Sequence, residues 1–385
     1  MRIGKIIIIS LLLLSGIYLT AINLPPSLFK NLVNQNSTDN PISESVPTPL
    51  VASITQTNDN SPKLIIDPTA DEKELPSRVI LSNPRHTFQS FNNCGPATLS
   101  MALGYYGMNV SQQELGQRMR PYQNPQGDND DKTIFSAEFV AEAERQGLRA
   151  ISHVNGDIDL LKRLTANDFP VVVKTWLNQG EDIGHFRMVK GYDDSTQVII
   201  QDDSYQGKDL EFSYEDFLSL WQPFNYNYIV VYPSEKHEQL MILLGEESQE
   251  QASWANAYNR AKQEIQTQPE NVYPWFNLAT SAYRLGNYEE SVEAYERVAS
   301  KLPGRMLWYQ IEPILAYQKL GRDQLVMDLT SQILTNHNRA YTELYLIRGE
   351  IYLSQGNQAA AQQEFEQAVR YNRHSEKVKQ ALESL

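Results

Sequence analysis

Residues 92–97 read Asn-Asn-Cys-Gly-Pro-Ala and open a helix-forming segment that carries the single cysteine of this 385-residue chain. Asparagine is a common helix N-cap, and Pro96 suits a first helical turn because no N–H donor is needed there. Apolar residues then recur at helical spacing as far as Gly107, a residue type that ends helices. The pattern predicts an amphipathic helix with Cys94 at its N-terminus, away from the buried face.

A cysteine in that position is suited to nucleophilic chemistry. The unpaired N–H groups and the positive dipole end of a helix N-terminus stabilise a thiolate, which is the reactive form of cysteine. The same N–H groups can bind the oxyanion that forms when a thiolate attacks a carbonyl. A free cysteine is often only a small buried hydrophobic residue. The position of Cys94 at the N-terminus of the predicted helix instead favours a role as a nucleophile.

A cysteine nucleophile needs a base within hydrogen-bond reach and a third group that orients the base. Among six histidines, His185 stands out because it opens a predicted strand, residues 185–192. Asp203 follows the next predicted strand, residues 197–201, and two adjacent antiparallel strands would bring its carboxylate beside the imidazole. Neighbours on a strand face opposite sides, so either Asp202 or Asp203 can orient His185, but not both.

The segment from residue 81 to residue 235 reads as helices first and strands afterwards, which predicts an α+β domain. The remaining predicted elements are helices at about 135–147 and 160–164, strands at 171–173 and 228–232, and a short helix at 213–221 opened by a Ser-x-x-Asp cap.

Four motifs lie in this order along the chain: Gln89-x-x-Asn92-Asn93-Cys94-Gly95-Pro96-Ala97, Gly184-His185-Phe186, Gly191-Tyr192-Asp193-Asp194 and Asp203-Ser204-Tyr205-x-Gly207. In these motifs the segment from about residue 88 to residue 233 resembles cysteine peptidase family thirty-nine. That family is papain-like and includes the bacteriocin-processing, double-glycine leader peptidases. The closer resemblance is to stand-alone members that are fused to tetratricopeptide repeats.

The resemblance implies a role for each matched residue. Cys94 would be the nucleophile, His185 the general base and later the acid, and Asp203 the carboxylate that orients the histidine. Gln89 would donate its side-chain amide to the oxyanion. The chain departs from the family at Ser204, where proline is more usual. Transporter-linked members also carry a permease and an ATPase, whose patterns this sequence lacks, so export-coupled leader cleavage is not expected.

Other chemistries find no support in the sequence. It contains no His-Glu-x-x-His motif, no paired cysteines and no Gly-rich Walker loop, so neither a metal nor another cofactor is predicted. The formal net charge of −14 argues against nucleic acid as a partner, because phosphate binding needs a basic surface.

The N-terminus predicts export. Arg2 and Lys5 precede an uncharged, mostly apolar stretch at residues 6–24, which as a helix would span about 28 Å, close to the hydrocarbon thickness of a bilayer. Residues 1–24 are therefore a predicted membrane anchor with the rest of the chain on the extracytoplasmic side, or a signal peptide if they are cleaved. The polar residues 25–80 are a predicted disordered linker.

The C-terminal part, residues 248–385, shows a repeat. Gly286, Gly321 and Gly356 are each 35 residues apart (321 − 286 = 35 and 356 − 321 = 35) in similar sequence frames. This spacing resembles that of tetratricopeptide repeats, helix-turn-helix units with a period near 34 residues. The resemblance implies an all-α solenoid that binds a protein partner or a peptide, with a purely structural cap on the peptidase domain as the alternative.

Together these features predict an exported thiol peptidase that cleaves peptide bonds through an acyl-enzyme on Cys94, with repeats that recruit a substrate or a protein partner. Two alternatives stay open. One is a catalytically inactive papain-like scaffold whose repeats do the binding. The other is an acyl transferase of the same clan, in which an amine replaces water as the acceptor.

Overall fold

The computed structural model describes residues 75–122, 134–336 and 338–385. They form an α+β region followed by an all-helical region, which confirms the predicted fold class. The predicted anchor at residues 1–24, and the predicted linker up to residue 74, lie outside the described residues. Within the described ranges, no helix has the length and apolar character needed to cross a membrane.

A seven-stranded antiparallel sheet forms the centre of the α+β region. Its strands are β1 (Arg78–Ile80), β2 (Arg149–His153), β3 (Val171–Trp176), β4 (Gly184–Asp193), β5 (Val198–Asp203), β6 (Gly207–Ser213) and β7 (Tyr228–Tyr232). Across the sheet the order is β2-β7-β3-β4-β5-β6, and β1 pairs with β4. The four predicted strands are all present, although β3 and β5 extend further than predicted. Strand β1 lies inside residues 25–80, so the prediction of a disordered linker is wrong for residues 78–80.

Helices cover both faces of this sheet. They are α1 (Cys94–Tyr105), α2 (Gln112–Met119), α3 (Ser136–Arg145), α4 (Ile158–Ala166), α5 (Tyr214–Trp221) and α6 (His237–Leu244). Alternation along β3 divides the core, because Val172 packs with apolar side chains of α1, α2 and α3, whereas Val171 and Val173 pack with those of α4, α5 and α6. The Ser213 hydroxyl accepts the Asp216 N–H at the start of α5, as its sequence predicts.

Helix α1 is buried on nearly every side, so the prediction that it is amphipathic is wrong. The ten residues from Gly95 to Gly104 are all buried. The reason is that α1 packs against α2, α3 and strand β4 together, which leaves it no solvent face. Its predicted start at Cys94 holds, and Gly107 just beyond its end has the positive φ of a helix stop.

The all-helical region consists of α7 (Glu250–Thr267), α8 (Val272–Arg284), α9 (Tyr288–Val298), α10 (Met306–Tyr309), α11 (Glu312–Lys319), α12 (Asp323–Thr335), α13 (Thr342–Ser354), α14 (Gln358–Tyr371) and α15 (Glu376–Glu383). Helices α8 with α9, α11 with α12, and α13 with α14 form three successive pairs. Gly286, Gly321 and Gly356 lie in the turns of these pairs with φ of +86°, +66° and +74°. Glycine adopts this backbone conformation without a Cβ clash, which explains its recurrence at a fixed spacing.

The repeats pack directly on the α+β region. One continuous apolar cluster joins Trp176, Leu220 and Phe224 of that region to side chains of α7 through α13. A cavity of about 970 Å³ lies beside this contact and is lined by α3 together with residues of the repeats. The all-helical region is therefore attached through a shared core, and a space with both polar and apolar walls remains between it and α3.

Candidate active site

Helix α1 begins with Cys94, a residue that is neither fully buried nor fully exposed. Asn93 occupies the N-cap position, but its side chain makes no capping hydrogen bond. Instead its amide nitrogen donates to the Gln112 side chain at 2.9 Å, and its carbonyl oxygen accepts from Arg120 at 3.3 Å. The expected asparagine cap is therefore absent, because a buried polar network takes the side chain. The first N–H groups of α1 are not occupied by Asn93.

Strand β4 brings the predicted base to Cys94. The Cys94 sulfur is hydrogen-bonded to the His185 side chain and receives the Phe186 N–H. The Thr98 hydroxyl, one turn further along α1, donates to the Phe186 carbonyl at 3.1 Å. Helix α1 and the start of β4 are thus joined at two successive turns, and this contact sets the distance between thiol and imidazole.

His185 in turn contacts the predicted acid. Its Nε2 lies 2.9 Å from Asp203 Oδ1, and both side chains are buried. With Nε2 directed at Asp203, Nδ1 is the ring nitrogen that remains for Cys94. The structure therefore brings together Cys94, His185 and Asp203 in the order that a thiol nucleophile, its base and an orienting carboxylate require.

The Asp203 carboxylate is held on both oxygens. Oδ1 also accepts the backbone N–H groups of Tyr205 at 2.7 Å and Gln206 at 2.9 Å. Oδ2 accepts from Arg187 Nε at 2.8 Å. A carboxylate with this many donors cannot rotate away from the imidazole, and it stays ionised. Burial alone would raise its pKa, but the bonds and charges of His185 and Arg187 keep the pKa of Asp203 far below its ordinary value.

Asp202, the other candidate for the acid, points to the opposite face of β5. Its Oδ1 accepts from Lys190 Nζ at 2.7 Å and from the Asp209 N–H at 3.0 Å. Lys190 also pairs with the Asp209 carboxylate. Asp202 is therefore a partner of a buried lysine and not of the histidine.

Electrostatics favour an ion pair between thiol and imidazole. Burial raises the pKa of Cys94, but the hydrogen bond and charge of His185 outweigh it, so the pKa of the thiol lies below its ordinary value. For His185, burial lowers the pKa, but hydrogen bonds to Asp203 and Cys94 outweigh it and raise the pKa above its ordinary value. The two shifts have opposite directions and share one cause, the mutual stabilisation of thiolate and imidazolium, while Asp203 adds to the raised pKa of His185.

Gln89 is held in place by two hydrogen bonds with Ser204. The Ser204 hydroxyl donates to Gln89 Oε1 at 2.8 Å, and the Gln89 N–H donates to the Ser204 carbonyl at 2.7 Å. Because the side-chain oxygen of Gln89 accepts this bond, the amide nitrogen is the group of that side chain that remains as a donor. A proline in place of Ser204 has no hydroxyl for this bond.

Arg187 is the site residue that the sequence analysis missed. It is fully buried, donates to Asp203, and also donates to the Thr175 hydroxyl, to the Trp176 carbonyl at 2.8 Å and to the Leu177 carbonyl at 2.7 Å. The sequence pattern that could have identified Arg187 is its position two residues after His185, which places both side chains on one face of β4. In the described parts of the chain, no group of three or more His, Cys, Asp or Glu residues is arranged to hold a metal ion.

Comparisons with known proteins agree with this division of the chain. Residues 78–229 match the model of the Peptidase_C39 like family, and residues 272–305 and 342–375 each match a tetratricopeptide repeat model. No curated protein matches the chain.

Several solved structures are similar to parts of the chain. A putative C39-like peptidase from Bacillus anthracis is 19% identical, with 40% of this chain and 96% of that chain covered and a TM-score of 0.33. A double glycine motif protease from an AMS/PCAT transporter, in complex with the leader peptide, is 18% identical, with 40% and 95% covered and a TM-score of 0.31. A thermophilic tetratricopeptide repeat protein of Thermus thermophilus is 20% identical, with 39% and 77% covered and a TM-score of 0.28.

Residues 78–229 thus match the model of the Peptidase_C39 like family, and both matches to tetratricopeptide repeat models lie within residues 272–375.

Proposed function

We propose that this protein is a thiol peptidase that hydrolyses peptide bonds through an acyl-enzyme on Cys94. The observation that supports this most directly is the hydrogen-bonded series Cys94, His185 and Asp203, formed where a helix N-terminus meets a strand. A structural cysteine needs neither an imidazole partner nor a lowered pKa. At Cys94 both the imidazole partner and the lowered pKa are found.

In the proposed mechanism the Cys94 thiolate attacks the carbonyl carbon of the scissile bond. The carbonyl electron pair moves to oxygen, and the oxyanion is stabilised by the Cys94 N–H and by the amide of Gln89. The His185 imidazolium then gives its proton to the leaving nitrogen as the C–N bond breaks, which leaves a thioester. Neutral His185 next takes a proton from water, the resulting hydroxide attacks the thioester, and the new carboxyl product leaves as the thiolate is restored.

The surroundings of the site suit a peptide substrate. Phe88, Phe91 and Tyr205 are exposed by 66%, 55% and 61%, and each lies within three residues of Gln89, Cys94 or Asp203 in the sequence. Exposed aromatic side chains of this kind are favourable contacts for the apolar side chains of a bound peptide. We propose that they form part of the substrate surface.

The repeats indicate a binding partner, and the N-terminal segment indicates where the protein acts. Tetratricopeptide repeats are interaction modules, and the cavity between the repeats and α3 offers a space lined by polar and apolar groups. We therefore propose that the repeats bind a protein partner or the substrate itself. The uncharged stretch at residues 6–24 supports export with an N-terminal membrane anchor, which puts the peptidase on the extracytoplasmic side.

The decisive experiment compares extracellular peptide termini between cells with the wild-type protein and cells with Cys94→Ala. A thiol peptidase predicts a set of new N-termini that disappears with the variant. Identical sets of termini, together with an unchanged phenotype, would support the inactive scaffold instead. Products joined to an amine in place of water would identify an acyl transferase.

A further inference from the structure

The turn between β3 and β4 is contacted by residues of the repeat region just before the strand that carries His185. This turn spans residues 177–183, and β4 then begins with Gly184 and His185. On the side of the α+β region it is held by Arg187, which donates to the carbonyls of Trp176 and Leu177. Since Arg187 also binds Asp203, the turn is connected to the base and to its carboxylate.

Tyr309 of α10 holds the other end of the same turn. Its hydroxyl donates to the Asp182 carbonyl at 3.3 Å and accepts the Gly184 N–H. A hydroxyl can do both at once because it has one proton and two lone pairs. Burial raises the pKa of Tyr309 to about 12, so the hydroxyl keeps its proton at neutral pH.

The Tyr309 ring also lies against Gly184. A Cβ atom at residue 184 would come within 2.8 Å of the ring, so only glycine permits this approach. The ring packs edge-on to Trp176 and Phe224, with centroid distances of 5.6 and 5.7 Å. Its position is therefore fixed by the shared core and not by the turn alone.

Arg305, four residues before Tyr309, adds an ion pair to the same turn. Its guanidinium lies 2.6 Å from Asp182 Oδ1, and its backbone N–H donates to Asp182 Oδ2 at 3.2 Å. Both side chains are roughly a quarter exposed, so the pair is screened by water and contributes mainly geometry.

We infer that Tyr309 and Arg305 of the repeat region are positioning residues for His185, so that the repeats complete the peptidase site as well as serving as a binding module. The backbone of Gly184 precedes His185 directly, and Tyr309 fixes that backbone through a hydrogen bond and a ring contact. A shift at Gly184 moves the imidazole relative to Cys94. Catalytic geometry tolerates only small displacements, so this effect is expected to reach the reaction rate.

This inference rests on the proposed peptidase function. A positioning role and a purely structural role of Tyr309 and Arg305 predict different effects of their loss. A contact that only fastens two regions together lowers the stability of the protein when it is lost. A positioning contact also changes the reactivity of Cys94, because thiolate formation depends on where His185 lies. The pH profile of Cys94 alkylation therefore separates the two roles.

The experiment measures the rate of Cys94 alkylation by iodoacetamide from pH 5 to pH 9 in the full-length protein. Tyr309→Phe removes only the hydroxyl and keeps the ring, and Arg305→Gln removes the ion pair at a partly exposed position. Tyr317→Phe is the matched control, since it removes a buried hydroxyl of the repeats that binds Glu296 at 2.9 Å. His185→Ala provides the reference for complete loss of the base.

Tyr309→Phe loses the hydroxyl's bonds to Asp182 and Gly184. We expect it to slow alkylation at pH 7 by about three- to tenfold, a factor equivalent to about one ordinary hydrogen bond. The acid limb of its profile should move toward the ordinary thiol pKa. Arg305→Gln should shift in the same direction by less, and Tyr317→Phe should match the wild type. If Tyr309→Phe does not fold, Arg305→Gln decides alone.

Two other outcomes are distinguishable. Wild-type profiles for Tyr309→Phe and Arg305→Gln, with a slowed His185→Ala, overturn the positioning role and leave the peptidase proposal in place. A His185→Ala profile identical to the wild type removes the basis of both proposals.

Discussion

The Asp203 carboxylate accepts a hydrogen bond from His185 Nε2 at 2.9 Å across the pairing of β5 with β4. Asp203 is the direct partner of Arg187 in this pairing, and His185 lies two residues further along β4 on the same face. One carboxylate therefore holds the imidazole with one oxygen and the guanidinium with the other.

His185→Ala should slow the alkylation of Cys94 near neutral pH by about tenfold or more, because an unassisted thiol is mostly protonated there. The measurement is the rate of labelling by a thiol-alkylating probe in purified protein. His237→Ala is a suitable control, since His237 contacts Tyr232 and is not part of the site. Equal labelling of the wild type and His185→Ala would contradict the ion pair.

Asp203→Asn and Asp202→Asn should differ in their effect on activity. The first removes the charge that orients His185 and should reduce kcat by at least about 100-fold. The second weakens the buried pair with Lys190 and should lower the free energy of unfolding by about 3 kcal/mol, with activity nearly unchanged. Peptidase assays and denaturant unfolding of both variants test this pair of effects. A greater loss of activity in Asp202→Asn would move the acid to that residue.

The pH dependence of kcat/KM should be bell-shaped. Activity requires Cys94 ionised and His185 protonated. It should therefore rise through a thiol pKa that lies below the ordinary value and fall through an imidazole pKa that lies above it. Asn in place of Asp203 removes a support of the imidazolium, so the basic limb of Asp203→Asn should move to lower pH. A single rising limb with an ordinary thiol pKa would exclude this model.

Ser204→Ala should reduce kcat by about three- to tenfold through loss of the bond that orients Gln89. Gln89→Ala should reduce kcat further, since it removes the proposed oxyanion donor itself. The double variant should be no worse than Gln89→Ala, because Ser204 acts through Gln89. Additive losses in the double variant would show that Ser204 acts separately. KM should change little in all three variants.

Much of the site was predictable from local patterns. The start of α1 at Cys94 follows from the Asn-Asn-Cys-Gly-Pro segment, and the strand around His185 follows from its residue types. The turn glycines of the repeats follow from a fixed spacing and a backbone conformation that glycine adopts most readily. In each case the information lies within a few neighbouring residues.

The burial of α1 was not predictable in this way. Its sequence shows helical spacing, but how many of its sides are covered depends on α2, α3 and β4, which come from separate parts of the chain. The role of Asn93 is a similar case. Asparagine is a common N-cap residue, but the side chain of Asn93 is hydrogen-bonded to Gln112 and Arg120 instead.

Local geometry and periodicity were enough to predict the thiol at a helix start, the histidine on a strand, the two candidate aspartates and the helical repeats. Which of Asp202 and Asp203 contacts His185 depends on the fold, since the register of β5 against β4 selects the face, and a slip of one residue would exchange them. The fold alone also brought Arg187 to Asp203, and Tyr309 to Gly184 across 125 residues (309 − 184 = 125). Contacts between segments so far apart arise from packing of the whole fold, which no local pattern encodes.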